Sequence, residues 1–317
     1  MPTPTSTSIT PLSPPAAALL SPAQTRERLP YAALVRELVR LLEDDSVQVP
    51  PRLVQSLPGG GSLFVMPALD ARTAIAKLIT FTPANAGRGL PAIQGDVLVF
   101  DVSTGQRLLQ LDGPTVTVRR TAAVSVLAAQ RLAPDTDGPL LIVGAGVQGR
   151  AHLEAFADVL KITDVMIASR SQASAQALAQ HARTMGLRAR VVDDADAALA
   201  DCPLAVTCTP AQGVVLCALP RQRGFISAVG AFTPSMVELS PGLCRHVAAQ
   251  GTVCLDTPDA RHEAGDLLQA GLDTSRFATL AEVIRTATVQ PAGPVLFKSC
   301  GWAGWDLAAA RTALAFA

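Results

Sequence analysis

Leu140-Leu141-Ile142-Val143-Gly144-Ala145-Gly146-Val147-Gln148-Gly149 is the segment of this 317-residue chain with the clearest structural signal. Four apolar residues are typical of a buried parallel strand, the glycines have Gly-x-Gly-x-x-Gly spacing, and a helix is predicted from Val147. Gly144 permits a tight turn, Gly146 lets the backbone approach a pyrophosphate because it has no Cβ, and Gly149 lets the helix lie close to the strand. Unpaired N–H groups at a helix start bind phosphate, so the segment is interpreted as a dinucleotide-binding turn.

The pattern after this segment alternates between short apolar runs and helical or loop segments. Strands are predicted at residues 140–143, 164–169, 189–192, 204–208, 224–229 and 253–256. Strands separated in this way predict an α/β fold with a Rossmann-type doubly wound parallel sheet. A polar linker, residues 133–138, precedes the first strand, so the dinucleotide-binding domain is expected to span residues 138–290.

The chain before the linker has a different composition. Residues 1–18 are rich in Pro, Ser and Thr and are predicted to form a flexible arm. Helices are predicted from a capping box at Ser21, from Pro30 and over residues 117–132. The predicted strands cover residues 62–66, 73–81, 96–101 and 107–111, with a hairpin turn at Ser103-Thr104-Gly105. An amphipathic helix over 306–316 could return to this unit, so we expect a discontinuous α+β domain built from residues 19–132 and 291–317.

Charge and cysteine content narrow the class of function. The chain has 26 Lys plus Arg and 26 Asp plus Glu, so no overall field attracts nucleic acid or a membrane surface, and a small-molecule partner is favoured. Its six cysteines form no Cys-x-x-Cys pair and no cluster with histidine, so neither a metal site nor a disulfide framework is expected. The apolar run 16–20 is too short for a signal-peptide core or a membrane span, so a cytoplasmic protein is predicted.

The end of the second predicted strand bears on the choice of cofactor. In the usual fingerprint an acidic residue there binds the ribose hydroxyls of NAD. This chain has Ser169-Arg170-Ser171 instead, and arginine can pair with a 2′-phosphate that aspartate would repel. The sequence therefore favours NADPH, with NADH possible but less preferred. The alternative is that Arg170 is a solvated loop residue.

Three isolated cations in apolar surroundings precede the linker. Arg52 follows two prolines, Lys77 lies within a strand-like run, and Arg120 lies near the start of a predicted helix. Together they suggest a pocket for a carboxylate, although a single lysine in a strand is more often on the solvated face. Glu263 follows the sixth strand, near the edge where such folds bind ligands, and is a further candidate.

Several short motifs, in order from about residue 19 to the C-terminus, resemble the ornithine cyclodeaminase/μ-crystallin family. The motifs are Lys77-Leu78-Ile79-Thr80 with Asn85, Asp112-Gly113, Arg120-Thr121-Ala122-Ala123, Gly144 to Gly149, Val229-Gly230-Ala231, Glu263-Ala264-Gly265-Asp266 and Phe297-Lys298-Ser299-Cys300-Gly301. The resemblance implies a homodimer in which the discontinuous domain binds substrate and mediates dimerisation, with the cofactor between the domains. It also implies that Arg52, Lys77 and Arg120 bind the substrate carboxylate.

One departure from the family bears on the reaction. Members that cyclise ornithine have Val-Gly-Ala-Asp after the fifth strand, whereas this chain has Val229-Gly230-Ala231-Phe232, and phenylalanine cannot exchange a proton. Together with Arg170, this change resembles the ketimine-reductase branch and its bacterial Δ1-pyrroline-2-carboxylate/Δ1-piperideine-2-carboxylate reductases. The implied reaction is NAD(P)H-dependent reduction of these cyclic imino acids to L-proline and L-pipecolate.

The implied reaction transfers hydride to C2 of a ring whose nitrogen is protonated first, because a protonated imine is more electrophilic. Phe232 and Glu263 are expected to line the substrate pocket. The source of the proton is left open between Lys77, a pocket water and a cyclic imine that arrives already protonated. The expected cofactor contacts are Arg120, Thr121, Gly144, Ala145, Gly146, Val147, Gln148, Gly149, Ser169, Arg170, Ser171, Thr207, Val229 and Ser299. Two alternatives remain: a cyclodeaminase-type lyase, which Phe232 argues against, and a non-enzymatic μ-crystallin-like protein that binds a ligand with NADPH.

Overall fold

The computed structural model describes residues 18–58, 60–210, 212–286 and 290–316, which form two units built on separate sheets. The predicted flexible arm, residues 1–18, lies outside the described residues apart from Ala18. The elements of the first unit, numbered along the chain, are β1 (Ala18–Leu19), α1 (Pro22–Glu27), α2 (Tyr31–Glu43), β2 (Leu53–Ser56), β3 (Ser62–Leu69), β4 (Thr73–Phe81), β5 (Ile93–Asp101), β6 (Arg107–Asp112) and α3 (Gly113–Leu132).

The first unit is a six-stranded sheet with helices against one face. Its order is β1-β6-β5-β4-β3-β2, antiparallel except for the parallel pair of β1 and β6. Alternate residues of β4 from Thr73 to Ile79 are buried, whereas Leu78 is exposed, as the two-residue period of a strand requires. Helix α3 and the C-terminal helix Ala303–Ala315 cover the buried face, and α2 packs on these two helices. The capping box predicted at Ser21 is confirmed at the start of α1.

The remaining elements form the second unit, except for the last helix. They are β7 (Leu140–Val143), α4 (Val147–Val159), β8 (Asp164–Ala168), α5 (Gln172–Thr184), β9 (Arg188–Val191), α6 (Ala195–Leu199), β10 (Leu204–Thr207), β11 (Gln212–Leu216), β12 (Phe225–Ala228), β13 (Val237–Leu239), α7 (Pro241–Gln250), β14 (Thr252–Leu255), α8 (Ala260–Glu263), α9 (Gly265–Gln269), β15 (Ala278–Thr279), α10 (Leu280–Arg285), β16 (Val295–Lys298) and α11 (Ala303–Ala315). Within the described ranges, none of the helices has the length and apolarity of a membrane span.

The larger sheet confirms the predicted doubly wound fold. Its strands are all parallel, in the order β15-β14-β16-β12-β10-β7-β8-β9, and the six predicted strands end within one residue of the observed limits. Four-residue strands such as β7 and β10 are buried along their whole length because helices cover both faces of the sheet. The strand order reverses between β7 and β10, so the carboxyl ends of these strands form the crevice where such folds bind ligands.

Strand β16 corrects the domain boundary that the sequence predicts at residue 291. It inserts between β12 and β14 of the larger sheet, where Phe297 pairs with both Ser227 and Cys254. A four-residue apolar run is too short for its periodicity to distinguish a strand from a loop, and its partners are distant in sequence. Only α11 returns to the first unit, where it packs on α2, β3 and β4. This helix is buried on nearly all sides and is not amphipathic.

Helix α3 connects the two units and directs two neighbouring arginines to different surroundings. It packs against β5 in the first unit and against α4, β12 and β16 in the second. Arg119 donates from Nε to the carbonyl oxygen of Leu29 at 2.7 Å and stacks over the ring of Tyr31 at 3.8 Å, which is a structural role. Arg120 contacts α11 and the loop after β16 instead, so it lies where the two units meet.

Candidate active site

The glycine loop between β7 and α4 forms a cradle that is open at one position. Gly144 has a φ of +114°, which favours glycine, and a Cβ there would lie 2.8 Å from the carbonyl oxygen of Cys208. A Cβ on Gly149 would overlap the carbonyl oxygen of Gly144, whereas a Cβ on Gly146 would meet no atom within 4 Å. Gly146 precedes α4, and no side chain caps this helix start. The arrangement fits a pyrophosphate held by backbone N–H groups.

Substitutions at two of these glycines should have different effects. Gly149→Val is expected to lower the melting temperature strongly, because its side chain would overlap the backbone of Gly144. Gly146→Val is expected to keep the wild-type melting temperature but lose cofactor affinity, because its side chain would occupy the space left for the pyrophosphate. Thermal unfolding and a fluorescence titration with NADPH measure the two effects. Unchanged NADPH affinity in Gly146→Val would remove this loop from the cofactor site.

The other predicted cofactor contacts follow neighbouring strands of the larger sheet. Ser169, Arg170 and Ser171 connect β8 to α5, with Arg170 exposed, and Val229 follows β12. In three further residues the hydroxyl already donates a hydrogen bond within the protein: Thr207 to Glu238 at 3.0 Å, Ser299 to Asp256 at 2.7 Å, and Thr121 to the carbonyl oxygen of Thr117 at 2.7 Å. Cofactor contacts by these three hydroxyls stay a prediction.

Two cations share one buried carboxylate where α11 crosses β4 and α3. Lys77 Nζ donates to Asp306 Oδ1 at 3.0 Å, and Arg120 Nε donates to the same oxygen at 3.3 Å. The side chains of Lys77, Arg120 and Asp306 are 1%, 8% and 0% exposed. Asp306 Oδ2 has no hydrogen-bond partner among the described residues. Because one negative charge balances two positive charges, the cluster has room for a second anionic group.

Burial changes the proton affinity of Lys77. Desolvation, opposed by the charge of Asp306 and reinforced by that of Arg120, lowers the pKa of Lys77 to about 8. Asp306 lies in the first turn of α11, where the positive end of the helix dipole stabilises its carboxylate. Lys77 is therefore charged at neutral pH, and it loses this charge as the pH rises through about 8.

Two contacts cross the cleft between the units. Arg52, which precedes β2, forms an ion pair with Glu263 at the end of α8. The ring of Phe81, on the same face of β4 as Lys77, meets the ring of Phe232 edge to face with centroids 6.0 Å apart. Burial raises the pKa of the Glu263 carboxyl, and the charge of Arg52 partly opposes this shift. Phe232 and Glu263 therefore lie across the cleft from residues of the first unit.

The loop after β16 connects these two regions of the cleft. Asp256, which follows β14, accepts at Oδ2 from the Ser299 hydroxyl and from the N–H groups of Cys300 and Gly301, at 2.7, 3.1 and 2.9 Å. A Cβ on Gly301 would lie 3.4 Å from both terminal nitrogens of Arg120, so the loop lies directly against this guanidinium. Burial, together with the charges of nearby carboxylates that include Asp256 and Glu263, raises the pKa of the Cys300 thiol. One continuous site thus extends from Arg120 to Glu263.

A second buried network fixes the strand ends beneath the site. Glu238, on β13, accepts from the N–H groups of Thr209 and Gly230, both at 2.7 Å. Asp266 accepts from the N–H of Glu238 at 2.6 Å and forms a 2.7 Å ion pair with Lys298. The network links the ends of β10, β12 and β16. The fully buried pair of Asp266 and Lys298 therefore holds these loop ends together.

The structure brings all five predicted substrate residues, Arg52, Lys77, Arg120, Phe232 and Glu263, to one cleft. Asp306 and Phe81 lie at this cleft although the sequence does not single them out. For Asp306 the available signal is a lone carboxylate in the apolar run 303–310, since aspartate is rarely buried without a partner. Within the described ranges no group of three His, Cys, Asp or Glu side chains is arranged to hold a metal ion.

The fold and the cleft define a class of protein that comparison with known families identifies. The model of the Ornithine cyclodeaminase/mu-crystallin family matches residues 25–314. This chain belongs to that family, as the motif resemblance implies.

Two bacterial reductases match the chain over most of its length. The chain is 37% identical over 294 residues to Delta(1)-pyrroline-2-carboxylate reductase 2 of Burkholderia ambifaria, covering 92% of this chain and 93% of the relative. It is 38% identical over 294 residues to the Delta(1)-pyrroline-2-carboxylate/Delta(1)-piperideine-2-carboxylate reductase of Azospirillum brasilense, with 92% and 93% covered. The solved Delta(1)-pyrroline-2-carboxylate reductase of Thermococcus litoralis, in complex with NADH and L-proline, shares the fold with a TM-score of 0.85 at 24% identity, covering 93% of this chain and 95% of that one.

Proposed function

We propose that this protein reduces cyclic imino acids with a nicotinamide cofactor, converting Δ1-pyrroline-2-carboxylate to L-proline and Δ1-piperideine-2-carboxylate to L-pipecolate. The observation that carries the proposal is the buried cluster of Lys77, Arg120 and Asp306, because it leaves one positive charge unbalanced for a substrate carboxylate. The bacterial relatives named for these imino acids match over nearly their whole length, which supports the same substrate class.

Each side of the cleft has a separate part in substrate binding. The substrate carboxylate binds Lys77 and Arg120, and Arg52 contacts it from the opening of the cleft. A carboxylate held in this way fixes which ring carbon faces the cofactor, and a bound reduced nicotinamide supplies hydride to C2. Phe81 and Phe232 form an apolar wall against the ring methylenes. Burial of one more methylene contributes about 0.8 kcal/mol, so five- and six-membered rings differ only modestly in affinity.

We propose NADPH as the preferred cofactor, with NADH used less well. Arg170 is exposed directly after β8, the position from which such folds read the adenosine ribose. A guanidinium there pairs with a 2′-phosphate, whereas NADH has only a hydroxyl to offer.

Reversal of the charge at residue 170 tests the cofactor preference. Arg170→Asp is expected to weaken NADPH binding by about 1–3 kcal/mol, since a charge-assisted contact is lost and repulsion is added. NADH affinity should change much less, because no phosphate lies at that position. Fluorescence titrations of both cofactors on wild type and variant measure the difference. Equal losses for the two cofactors would show that Arg170 does not recognise the 2′-phosphate.

The reductase proposal is tested by following NADPH oxidation with each cyclic imino acid. Steady turnover with the imines is expected, together with no ammonia release from ornithine in the presence of NAD, because Phe232 offers no proton acceptor for amine chemistry. Ammonia release at a catalytic rate would restore the cyclodeaminase-type lyase. Tight NADPH binding without turnover of any imine would favour the non-enzymatic ligand-binding protein.

We also propose a homodimer formed through the first unit. Leu53, Val65, Leu78 and Leu98 lie on the face of the smaller sheet that points away from its helices, and Leu53 and Leu78 are 56% and 45% exposed. Apolar residues on both faces of a sheet are stable only when both faces are shielded from water. The helices shield one face, and a second copy of the chain would shield the other. The expected particle in sedimentation has twice the mass of the chain.

We propose the cytoplasm as the location of the protein. Its six cysteines are unpaired, which suits a reducing compartment.

A further inference from the structure

Reduction of a neutral cyclic imine needs a proton at the ring nitrogen, and most carboxyl groups around the cleft are unsuited to supply it. Asp306 Oδ1 already accepts hydrogen bonds from two buried cations, Lys77 and Arg120. Asp256 Oδ2 is likewise occupied, because it accepts three hydrogen bonds from the loop after β16. Lys77 already donates to Asp306, and its positive charge is required to hold the substrate carboxylate.

Glu263 differs because its partner can be exchanged. The side chain is 21% exposed and forms an ion pair with Arg52, while its Oε2 is buried with no partner among the described residues. With 28% of its side chain exposed, Arg52 is the most accessible of the three cations, since Arg120 and Lys77 are 8% and 1% exposed. An entering carboxylate therefore competes with Glu263 for the same guanidinium.

We propose that the substrate carboxylate takes Arg52 from Glu263, and that the released Glu263 donates the proton to the ring nitrogen. This step rests on the proposed reductase function. The O–H bond of the Glu263 carboxyl breaks and an N–H bond forms, which leaves a carboxylate and a positively charged C=N group. The carbon of that group accepts the hydride, so the imine is reduced to the amine while the nicotinamide is oxidised. Glu263 regains its proton from solvent.

The charged groups around Glu263 favour uptake of a proton once Arg52 has moved. Asp256 and Asp259 are the negative groups whose charges act on Glu263, Arg52 is the positive one, and Cys300 lies within reach of its charge. Burial raises the pKa of the Glu263 carboxyl even while Arg52 opposes the shift. Loss of the Arg52 contact raises this pKa further. Substrate binding therefore favours the protonated form of Glu263, which then donates its proton to the ring nitrogen.

Kinetics of Glu263→Gln test the proton transfer, because the amide has the same shape but no acidic proton. We expect kcat for the imine to fall by about 10²-fold or more. The KM should stay unchanged or fall, since Glu263 no longer competes for Arg52. The decline of the wild-type kcat as the pH rises through the pKa of Glu263 should vanish in the variant. Glu154→Gln is the matched control, with a side chain 24% exposed and paired to Arg150 at 3.0 Å, and it should retain wild-type kinetics.

Proton-linked binding provides a second readout that does not depend on turnover. The probe is 1-cyclopentene-1-carboxylate, which has the ring and the carboxylate but no nitrogen. Its binding to the NADP⁺-loaded wild-type protein should take up a proton, measured by calorimetry in buffers of different ionisation enthalpy. Binding to Glu263→Gln should take up none, whereas Glu154→Gln should behave as the wild type.

The outcomes separate this step from the reductase function itself. If the imines turn over but Glu263→Gln keeps the wild-type kcat and its pH profile, Glu263 is not the donor although the reductase assignment stands. If the probe binds without Glu263-dependent proton uptake, the exchange at Arg52 is overturned. If no imine turns over while the probe still binds with proton uptake, the reductase assignment fails and the exchange of carboxylates stands without a chemical step.

Discussion

Asp306→Asn is expected to lower the free energy of unfolding by about 3–5 kcal/mol, the range typical of removing one partner from a buried ion pair. The reason is that Lys77 and Arg120, both almost fully buried, would lose the one carboxylate that they share. The loss should be larger near neutral pH than in alkali. Lys77 loses its proton as the pH rises through about 8. Above that pH, Arg120 is the one buried cation that still needs the negative charge of Asp306. Urea unfolding on both sides of that pKa measures the difference.

An exposed ion pair supplies the matched control for this substitution. Asp158 is 47% exposed and lies 3.7 Å from Lys161, which is 77% exposed. Asp158→Asn should change the free energy of unfolding by less than about 0.5 kcal/mol, because solvent screens such a pair. Equally small changes in the free energy of unfolding for both substitutions would mean that Asp306 does not stabilise the buried cluster.

Lys77→Met is expected to raise the KM for cyclic imino acids by about 10–100-fold, the loss expected when a charged hydrogen bond to a carboxylate disappears. The fold should tolerate the change, since methionine fits a buried strand position and Asp306 keeps Arg120 as a partner. Lys161→Met, at a 77% exposed position, is the control and should leave the KM unchanged. An unaltered KM in Lys77→Met would place the carboxylate elsewhere.

The same lysine gives the wild-type enzyme a defined pH dependence. Because the pKa of Lys77 is lowered to about 8, its charge is lost in mild alkali, and the KM for the imino acid should rise above that pH. This rise should be absent in Lys77→Met, where no charge remains to be lost. In the proposed mechanism the protonation of Glu263 changes kcat, whereas that of Lys77 changes KM. The pH profiles of kcat and KM therefore distinguish the two residues.

Local sequence signals were sufficient for most of the larger sheet. Buried parallel strands such as β7 and β10 are continuous apolar runs, and their limits follow from burial alone. The glycine spacing of residues 144–149 likewise encodes the turn, because Gly144 and Gly149 tolerate no Cβ in this geometry. Strand β16 was not recognisable, since only pairing with the distant β12 and β14 distinguishes its four residues from a loop.

The sequence by itself determined the dinucleotide cradle, the doubly wound sheet and the residue types of the cleft, because these depend on short-range spacing and composition. Tertiary structure alone decided the partners of the charged residues. Asp306 lies far from Lys77 and Arg120 along the chain, and only the return of α11 to the first unit places its carboxylate between them. The pair of Arg52 and Glu263 forms for the same reason across the cleft. The pKa shifts of buried groups depend on the same long-range packing, so they cannot be predicted from a local sequence pattern.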